Sequence, residues 1–154
     1  MGTQDIYNFK WINEQIITGG QPSEEQLRAA AAEGFQTVIN LATLNPRYSL
    51  PDEGGLVQTL GMQYIHIPVV WEAPQKSDFT AFEQVMVGGG DQKILIHCAA
   101  NYRVTAFYSL YAMKHLGWSA AQADDLMSHV WKAGEHPVWD QFVQEIRTEM
   151  AHGR

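Results

Sequence analysis

Cysteine is almost absent from this chain: Cys98 is the only one among 154 residues. A single cysteine cannot form an internal disulfide, so the fold must be held together by its hydrophobic core. A free thiol also favours a reducing compartment, and the N-terminal stretch lacks the basic-then-apolar pattern of a signal peptide. We therefore expect a cytoplasmic location, although a leader removed from the N-terminus would be compatible with a periplasmic one.

Positive charge and long apolar runs are also scarce. The formal net charge is −7 and the isoelectric point is about 5.2, which argues against binding to nucleic acid or to an anionic membrane. No stretch approaches the roughly 18 apolar residues that a membrane span needs. The histidines show no metal-ligand spacing such as HExxH, so we expect no metal and no other cofactor. This composition still permits a small cationic pocket for one phosphate group.

The alternation of helical and strand patterns predicts an α/β fold. An apolar content of 45% suits one domain over residues 1–154 with a single core. We expect a central, mainly parallel sheet of about four to five strands, flanked by helices. The short apolar run "KILIH" at 93–97 is typical of a strand that is covered on both faces.

Turn-forming and helix-capping residues predict where the neighbouring strands and helices begin or end. Asn13-Glu14 predicts a hairpin turn between two short strands. Ser23, followed three residues later by a glutamine, predicts the capped start of a helix. A long polar loop over residues 42–55 precedes a short helix that we predict from Gly55 to Leu60. Loops of this length are often functional.

The stretch "ILIHCAANYRVTA" places Cys98 where an apolar strand ends, and Arg103 where the next helix begins. The residues between them must turn at the carboxyl edge of the sheet, where ligand sites of α/β proteins form. Unpaired N–H groups and the helix dipole favour an anion there, and they also favour the thiolate form of a cysteine. The guanidinium of Arg103 can hold two phosphate oxygens. The pattern therefore predicts attack by Cys98 on a tetrahedral oxyanion, in preference to an inert buried cysteine.

This stretch resembles the signature of the cysteine-dependent protein phosphatases, which is His-Cys, five residues and then Arg. Here four residues separate Cys98 from Arg103. The shorter loop is similar to that of the bacterial phosphatase-like family DUF442, also present in beta-lactamase-hydrolase-like proteins, whose loops resemble "HCRSGTRS". The stretches "TGGQP", "GFQTVINL" and "YIHIPVVWEAP" are similar as well, so the resemblance covers roughly residues 15–118.

The resemblance implies a dual-specificity-phosphatase-like fold and hydrolysis of phosphomonoesters, with phosphotyrosine among the candidate substrates. It implies Cys98 as the nucleophile of a phosphocysteine intermediate and His97 as a support for the loop. The phosphate-binding residues are then Cys98, Ala99, Ala100, Asn101, Tyr102 and Arg103. The expected partner is a phosphorylated small molecule or a phosphoprotein, and the resemblance implies no cofactor. The oligomeric state is not indicated.

Three features depart from the family pattern. Asn101 stands where the family has glycine, and asparagine is the other residue that most readily takes a positive φ. Val104 stands where the family has serine or threonine, whose hydroxyl assists departure of the thiolate in the second step. The nearest hydroxyl is on Thr105, so turnover is expected to be slow. The shorter loop also offers one fewer N–H donor.

The resemblance places a general acid shortly after an "IPV"-like strand end, where this chain has Glu72. A carboxylic acid at this position would protonate the leaving oxygen. Asp78 is better interpreted as a helix N-terminal charge, and Asp52 and Glu53 in the long loop are secondary candidates. Trp71, beside Glu72, is expected near a pocket.

Two further hypotheses remain open. Rhodanese loops also have four residues between Cys and Arg, so Cys98 could carry a persulfide as a sulfurtransferase. Asn101 and Val104 are compatible with a phosphate-binding module that has lost turnover. Arg47 and Tyr48 could form a pocket wall, but ordinary surface positions are the simpler interpretation.

Overall fold

The computed structural model describes residues 2–152. Within these residues a five-stranded sheet has the order β1-β2-β5-β3-β4. The strands are β1 (Lys10–Trp11), β2 (Ile16–Gly19), β3 (Thr37–Asn40), β4 (Gln63–His66) and β5 (Ile94–His97). The helices are α1 (Glu24–Ala32), α2 (Glu53–Thr59), α3 (Lys76–Gly88), α4 (Tyr102–His115), α5 (Ala120–Ser128) and α6 (Pro137–Ala151), after a 3-10 turn at Thr3–Asp5. The predicted α/β class and mainly parallel sheet are confirmed.

β5 lies in the middle of the sheet, parallel to β2 on one side and to β3 on the other. β1 and β2 form the predicted antiparallel hairpin around Asn13-Glu14. Because four strands run in one direction, their carboxyl ends meet at one edge. His97 at the end of β5 is paired there with Gly19 of β2 and Asn40 of β3.

Both faces of the sheet are covered, as the apolar sequence of β5 predicts. Ile94 and Ile96 pack in a core cluster with residues of α3, α4, α5 and α6. Leu95 points to the opposite face, into a second cluster with residues of α1 and α2. In the part of the chain that the structure describes, no helix is both long and apolar enough to cross a membrane.

The start of α1 agrees with the prediction from the sequence, and the start of α2 does not. Ser23 and Gln26 form the predicted reciprocal capping box. α2 begins at Glu53, two residues before the predicted start at Gly55. Asp52 accepts a hydrogen bond from the N–H of Gly55 at 3.1 Å, and this cap extends the helix through two glycines that favour a loop in isolation. The shift places Glu53 in the first turn of α2.

Candidate active site

The loop between β5 and α4 lies at the carboxyl edge of the sheet, as expected. The N–H of Cys98 donates to the carbonyl of Gly19 at 3.3 Å, so the loop leaves β5 alongside β2. A Cβ added to Gly20 would lie 2.6 Å from the carbonyl oxygen of Ala99. Glycine in the "TGGQP" stretch therefore allows the close approach of β2's end to the loop.

The first two peptide groups of the loop have their carbonyls fixed by neighbouring residues. Nδ1 of His97 is 3.2 Å from the carbonyl oxygen of Cys98, and the N–H of Gln21 donates to the carbonyl of Ala99 at 3.0 Å. In a trans peptide the N–H points opposite to the C=O. The N–H groups of Ala99 and Ala100 consequently point away from these partners, and neither donates a hydrogen bond to another described residue. Two free donors at the start of a helix suit an anion.

Asn101 is in the left-handed region, with φ of 70°, as the sequence analysis expects. Its side-chain amide donates to the carbonyl of Asn8 at 2.8 Å and to Oγ1 of Thr18 at 3.0 Å. Asn8 in turn donates through its own amide to the carbonyl of Ala100 at 2.9 Å. We call this reciprocal pair the asparagine clasp, and it ties the loop to the N-terminal segment.

Arg103 is a buried cation that has no hydrogen-bond or ion-pair partner among the described residues. Only 6% of the residue is exposed, yet among residues 2–152 its guanidinium makes no hydrogen bond and no ion pair. Its central carbon lies 5.6 Å from the centre of the Trp71 ring. Trp71 also packs against Tyr102, at 5.9 Å between ring centres. An unpaired buried charge is costly, so this position favours an anionic ligand.

The thiol itself is covered. Cys98 is 1% exposed, whereas reactive cysteines are usually partly accessible. The aromatic cluster of Trp71, Tyr102, Trp131 and His136 stands beside the loop, with ring centres 5.1 to 5.9 Å apart for its closest pairs. Cys98 and Trp131 belong to the same core cluster, against which Trp71 and Tyr102 pack.

The other two predicted site residues are Glu72 and Thr105. Glu72 is exposed, in the turn that follows Trp71, and it makes no contact with the loop that the structure records. Thr105 is fully buried, and its hydroxyl donates to the carbonyls of Asn101 and Tyr102 at 3.0 and 3.1 Å. Its proton is thus directed to the backbone of α4. The catalytic role of Glu72 and the supporting role of Thr105 stay predictions.

Two of the secondary candidates have capping roles. The carboxylate of Asp52 caps α2, and that of Asp78 lies in the first turn of α3, where a helix N-terminal charge was expected. Arg47 is exposed, and the hydroxyl of Tyr48 donates to the carbonyl of Thr43 at 2.9 Å.

In the described part of the chain, no cluster of three His, Cys, Asp or Glu side chains could hold a metal ion.

Glu53 is buried against His97, a role that its position in the sequence does not indicate. It is 5% exposed, and its Oε2 lies 2.5 Å from Nε2 of His97. Burial acts to raise the pKa of Glu53, but the hydrogen bond and charge of His97 outweigh it, so this pKa lies below its ordinary value of 4.5. Nothing in the sequence distinguishes this carboxylate from an ordinary helix N-terminal charge, because its contact with His97 forms only in the folded sheet.

Comparison with known proteins gives consistent results. The model of a family described as "DSP-PTPase phosphatase fused to NAD+ Kinase" matches residues 4–137. A beta-lactamase hydrolase-like protein of Agrobacterium fabrum is 30% identical over 105 residues, which are 64% of this chain. The chain spans only 23% of that relative's length.

Solved structures show the same relationship. A DUF442 protein from Shewanella putrefaciens CN-32 is 32% identical and superposes with a TM-score of 0.87, over 98% of this chain and 97% of that one. The catalytic core of the PP-IP phosphatase SIW14 from S. cerevisiae is 15% identical, with a TM-score of 0.75 over 93% and 90% of the two chains. The latter similarity concerns the fold alone.

Proposed function

The chain belongs to the family of DSP-PTPase phosphatases described as fused to NAD+ kinase, and on that premise we propose that it hydrolyses phosphomonoesters with Cys98 as the nucleophile. The substrate class is a phosphorylated small molecule or a phosphoprotein. No metal or cofactor takes part in the proposed reaction.

The observation that carries this proposal is the unpaired guanidinium of Arg103. Buried charges in proteins are normally paired, because an isolated ion loses its hydration without compensation. Arg103 lies in the first turn of α4, directly after the short loop that carries Cys98 and the free N–H groups of Ala99 and Ala100. A dianionic phosphate would satisfy the cation and both donors at once.

The proposed reaction has two steps. Arg103 and the N–H groups of Ala99 and Ala100 hold the non-bridging oxygens while the thiolate of Cys98 attacks phosphorus. The sulfur–phosphorus bond forms as the bond to the leaving oxygen breaks, and Glu72 gives its proton to that oxygen. The Glu72 carboxylate then takes a proton from water, whose oxygen attacks phosphorus. Inorganic phosphate leaves and the thiolate returns.

The side chain of Glu72 is exposed, so in the proposed reaction it turns towards a phosphate that the loop holds. The preceding residue already belongs to the site, because the ring of Trp71 covers Arg103. The carbonyl of Trp71 accepts a hydrogen bond from Nε1 of Trp139 at 2.8 Å. This anchor keeps the segment near the loop while leaving the side chain of Glu72 free to turn.

A second candidate function is supported by the burial of Cys98 and by the hydroxyl of Thr105, which is directed to the helix backbone. Both observations are compatible with a module that binds a phosphate group and releases no product. Such a module would keep the anion site of Arg103 and lose the turnover.

The test compares hydrolysis of an aryl phosphate by the wild type and by Cys98→Ser, with sulfate or vanadate binding measured in parallel. Loss of the nucleophile is expected to lower kcat by more than about a thousandfold while anion binding persists. Equal rates in the two proteins would exclude the mechanism. Anion binding without turnover in the wild type would favour the binding module, and faster thiosulfate:cyanide sulfur transfer would favour the sulfurtransferase.

A further inference from the structure

A buried polar chain connects the long loop with the loop of Cys98. Glu53 stands at its start, where its Oε2 contacts Nε2 of His97 at 2.5 Å and its Oε1 accepts from Nε2 of Gln21 at 2.8 Å. His97 has no exposed surface. Its other ring nitrogen, Nδ1, faces the carbonyl of Cys98 at 3.2 Å. The chain therefore reaches the backbone of the nucleophile.

The ring of His97 bridges the two groups. The carbonyl of Cys98 can only accept a hydrogen bond, so Nδ1 donates to it. The lowered pKa of Glu53 keeps this carboxylate ionised at neutral pH, and its Oε2 faces Nε2 of the ring. His97 therefore links the charge of Glu53 to the backbone of the residue that bears the thiol.

Gln21 adds a second connection from Glu53 to the loop. Its side chain donates to Glu53, and its backbone N–H donates to the carbonyl of Ala99. Two consecutive carbonyls, those of Cys98 and Ala99, are thus held by groups that contact one carboxylate. Fixing these carbonyls fixes the directions of the two free N–H groups that follow them.

We infer that Glu53 is a positioning residue, which acts through His97 and Gln21 to orient the first two peptides of the anion-binding loop and to favour the thiolate. The inference rests on the proposed function and deepens it. Glu53 does not touch the phosphate. The long loop over residues 42–52 delivers it to the site, which gives that loop a role beyond connecting β3 with α2.

Other titratable groups surround Glu53 and must be considered in any pH experiment. His66 and Tyr64 of β4 interact with it electrostatically, and Asp52 precedes it. Burial raises the pKa of Tyr64, and the charge of Glu53 adds to this rise. Nε2 of His66 is engaged with the carbonyl of Ala42 at 2.7 Å. The direct hydrogen bond makes His97 the group that the Glu53→Gln substitution affects most.

The test uses Glu53→Gln, which keeps the size of the side chain and removes its charge. We expect kcat for an aryl phosphate to fall by about 10- to 100-fold, with a smaller change in KM, because misplaced donors cost more in the transition state than in binding. The thiolate absorbance of the single cysteine is expected to appear at a higher pH than in the wild type. Cys98→Ser supplies the background for this absorbance.

Asp52→Asn is the matched control, since it removes an exposed charge one residue away and keeps a capping side chain. It is expected to leave both readouts unchanged. Gln21→Met removes one connection only and is expected to lower kcat by less than Glu53→Gln does. If Glu53→Gln does not fold, Gln21→Met tests the inference through the same two measurements.

Unchanged kcat and an unchanged thiolate profile in Glu53→Gln would overturn the inference. A wild type without turnover, combined with the expected shift of the thiolate profile, would remove the proposed function and leave the positioning role standing. The two failures are therefore distinguishable.

Discussion

The guanidinium carbon of Arg103 lies 5.6 Å from the centre of the Trp71 ring, with no carboxylate in ion-pair contact within residues 2–152. The aromatic face supplies a cation–π attraction, which is about 0.5–2 kcal/mol. This attraction does not offset the cost of removing the cation from water. Burying Arg103 without a counter-ion therefore lowers the stability of the fold.

Replacing the unpaired cation should stabilise the protein. Arg103→Met is expected to increase the free energy of unfolding by about 1 kcal/mol or more, because it fills similar space without burying a charge. Inorganic phosphate should raise the Tm of the wild type and leave that of the variant unchanged. Differential scanning calorimetry measures both effects.

Arg147→Met is the control, since Arg147 pairs with Asp124 at 2.8 Å and lies outside the site. It should keep the response to phosphate and gain no stability. A destabilised Arg103→Met variant that still responds to phosphate would contradict the assignment of the anion site.

The asparagine clasp predicts an order of stabilities at position 101. Asn101→Ala loses both side-chain hydrogen bonds and holds a Cβ-bearing residue at φ of 70°, whereas Asn101→Gly loses the bonds alone. We expect the alanine variant to be less stable than the glycine variant by about 1 kcal/mol, with both below the wild type. Urea denaturation provides the measurement. A glycine variant as stable as the wild type would argue against the clasp, and an alanine variant as stable as the glycine variant would argue against the strain of a positive φ at this position.

Glu72 as general acid predicts a dependence on the leaving group. Glu72→Gln should lower kcat strongly for an alkyl phosphate, whose leaving oxygen needs a proton, and weakly for a nitrophenyl phosphate, whose leaving oxygen does not. A loss of about a hundredfold is expected in the first case. Asp91→Asn, another exposed carboxylate, is the control. Equal losses with both substrates would assign the acid to another group.

The lowered pKa of Glu53 predicts how stability changes with pH. A carboxylate whose pKa is lower in the folded than in the unfolded chain binds protons more tightly when unfolded, so it stabilises the fold above its unfolded pKa. This contribution is present above about pH 4.5, the ordinary value, and is lost as the pH falls through the folded pKa. The stability difference between wild type and Glu53→Gln should therefore shrink as the pH falls below about 4.5. A difference that grows on acidification would contradict the ionised carboxylate.

Local patterns in the sequence predicted the elements that depend on local interactions. The capping box of Ser23, the hairpin at Asn13-Glu14 and the apolar β5 each combine neighbouring residues, and each is present. The positive φ of Asn101 follows from its side-chain type and from the tight turn before α4. The start of α2 differs by two residues from the prediction, because the side chain of Asp52 caps the helix ahead of its two glycines.

The contacts that shape the site depend on distant parts of the chain, so the sequence did not reveal them. Glu53 and His97 are 44 positions apart, and they meet only because β3 and β5 pair and α2 packs beside them. The burial of Cys98 depends on a core cluster whose residues come from several separate segments. The lack of a partner for Arg103 is a property of all its surroundings, which no motif encodes.

The most direct test of the proposed mechanism is to look for phosphorus on sulfur during turnover. The wild type would be denatured rapidly while it hydrolyses an aryl phosphate, and the peptide containing Cys98 would be analysed by mass spectrometry. The account predicts one phosphoryl group on Cys98, formed at the rate of the first step and absent from Cys98→Ser. Steady turnover with phosphate found on another residue, or with unmodified Cys98 at every time point, would contradict it.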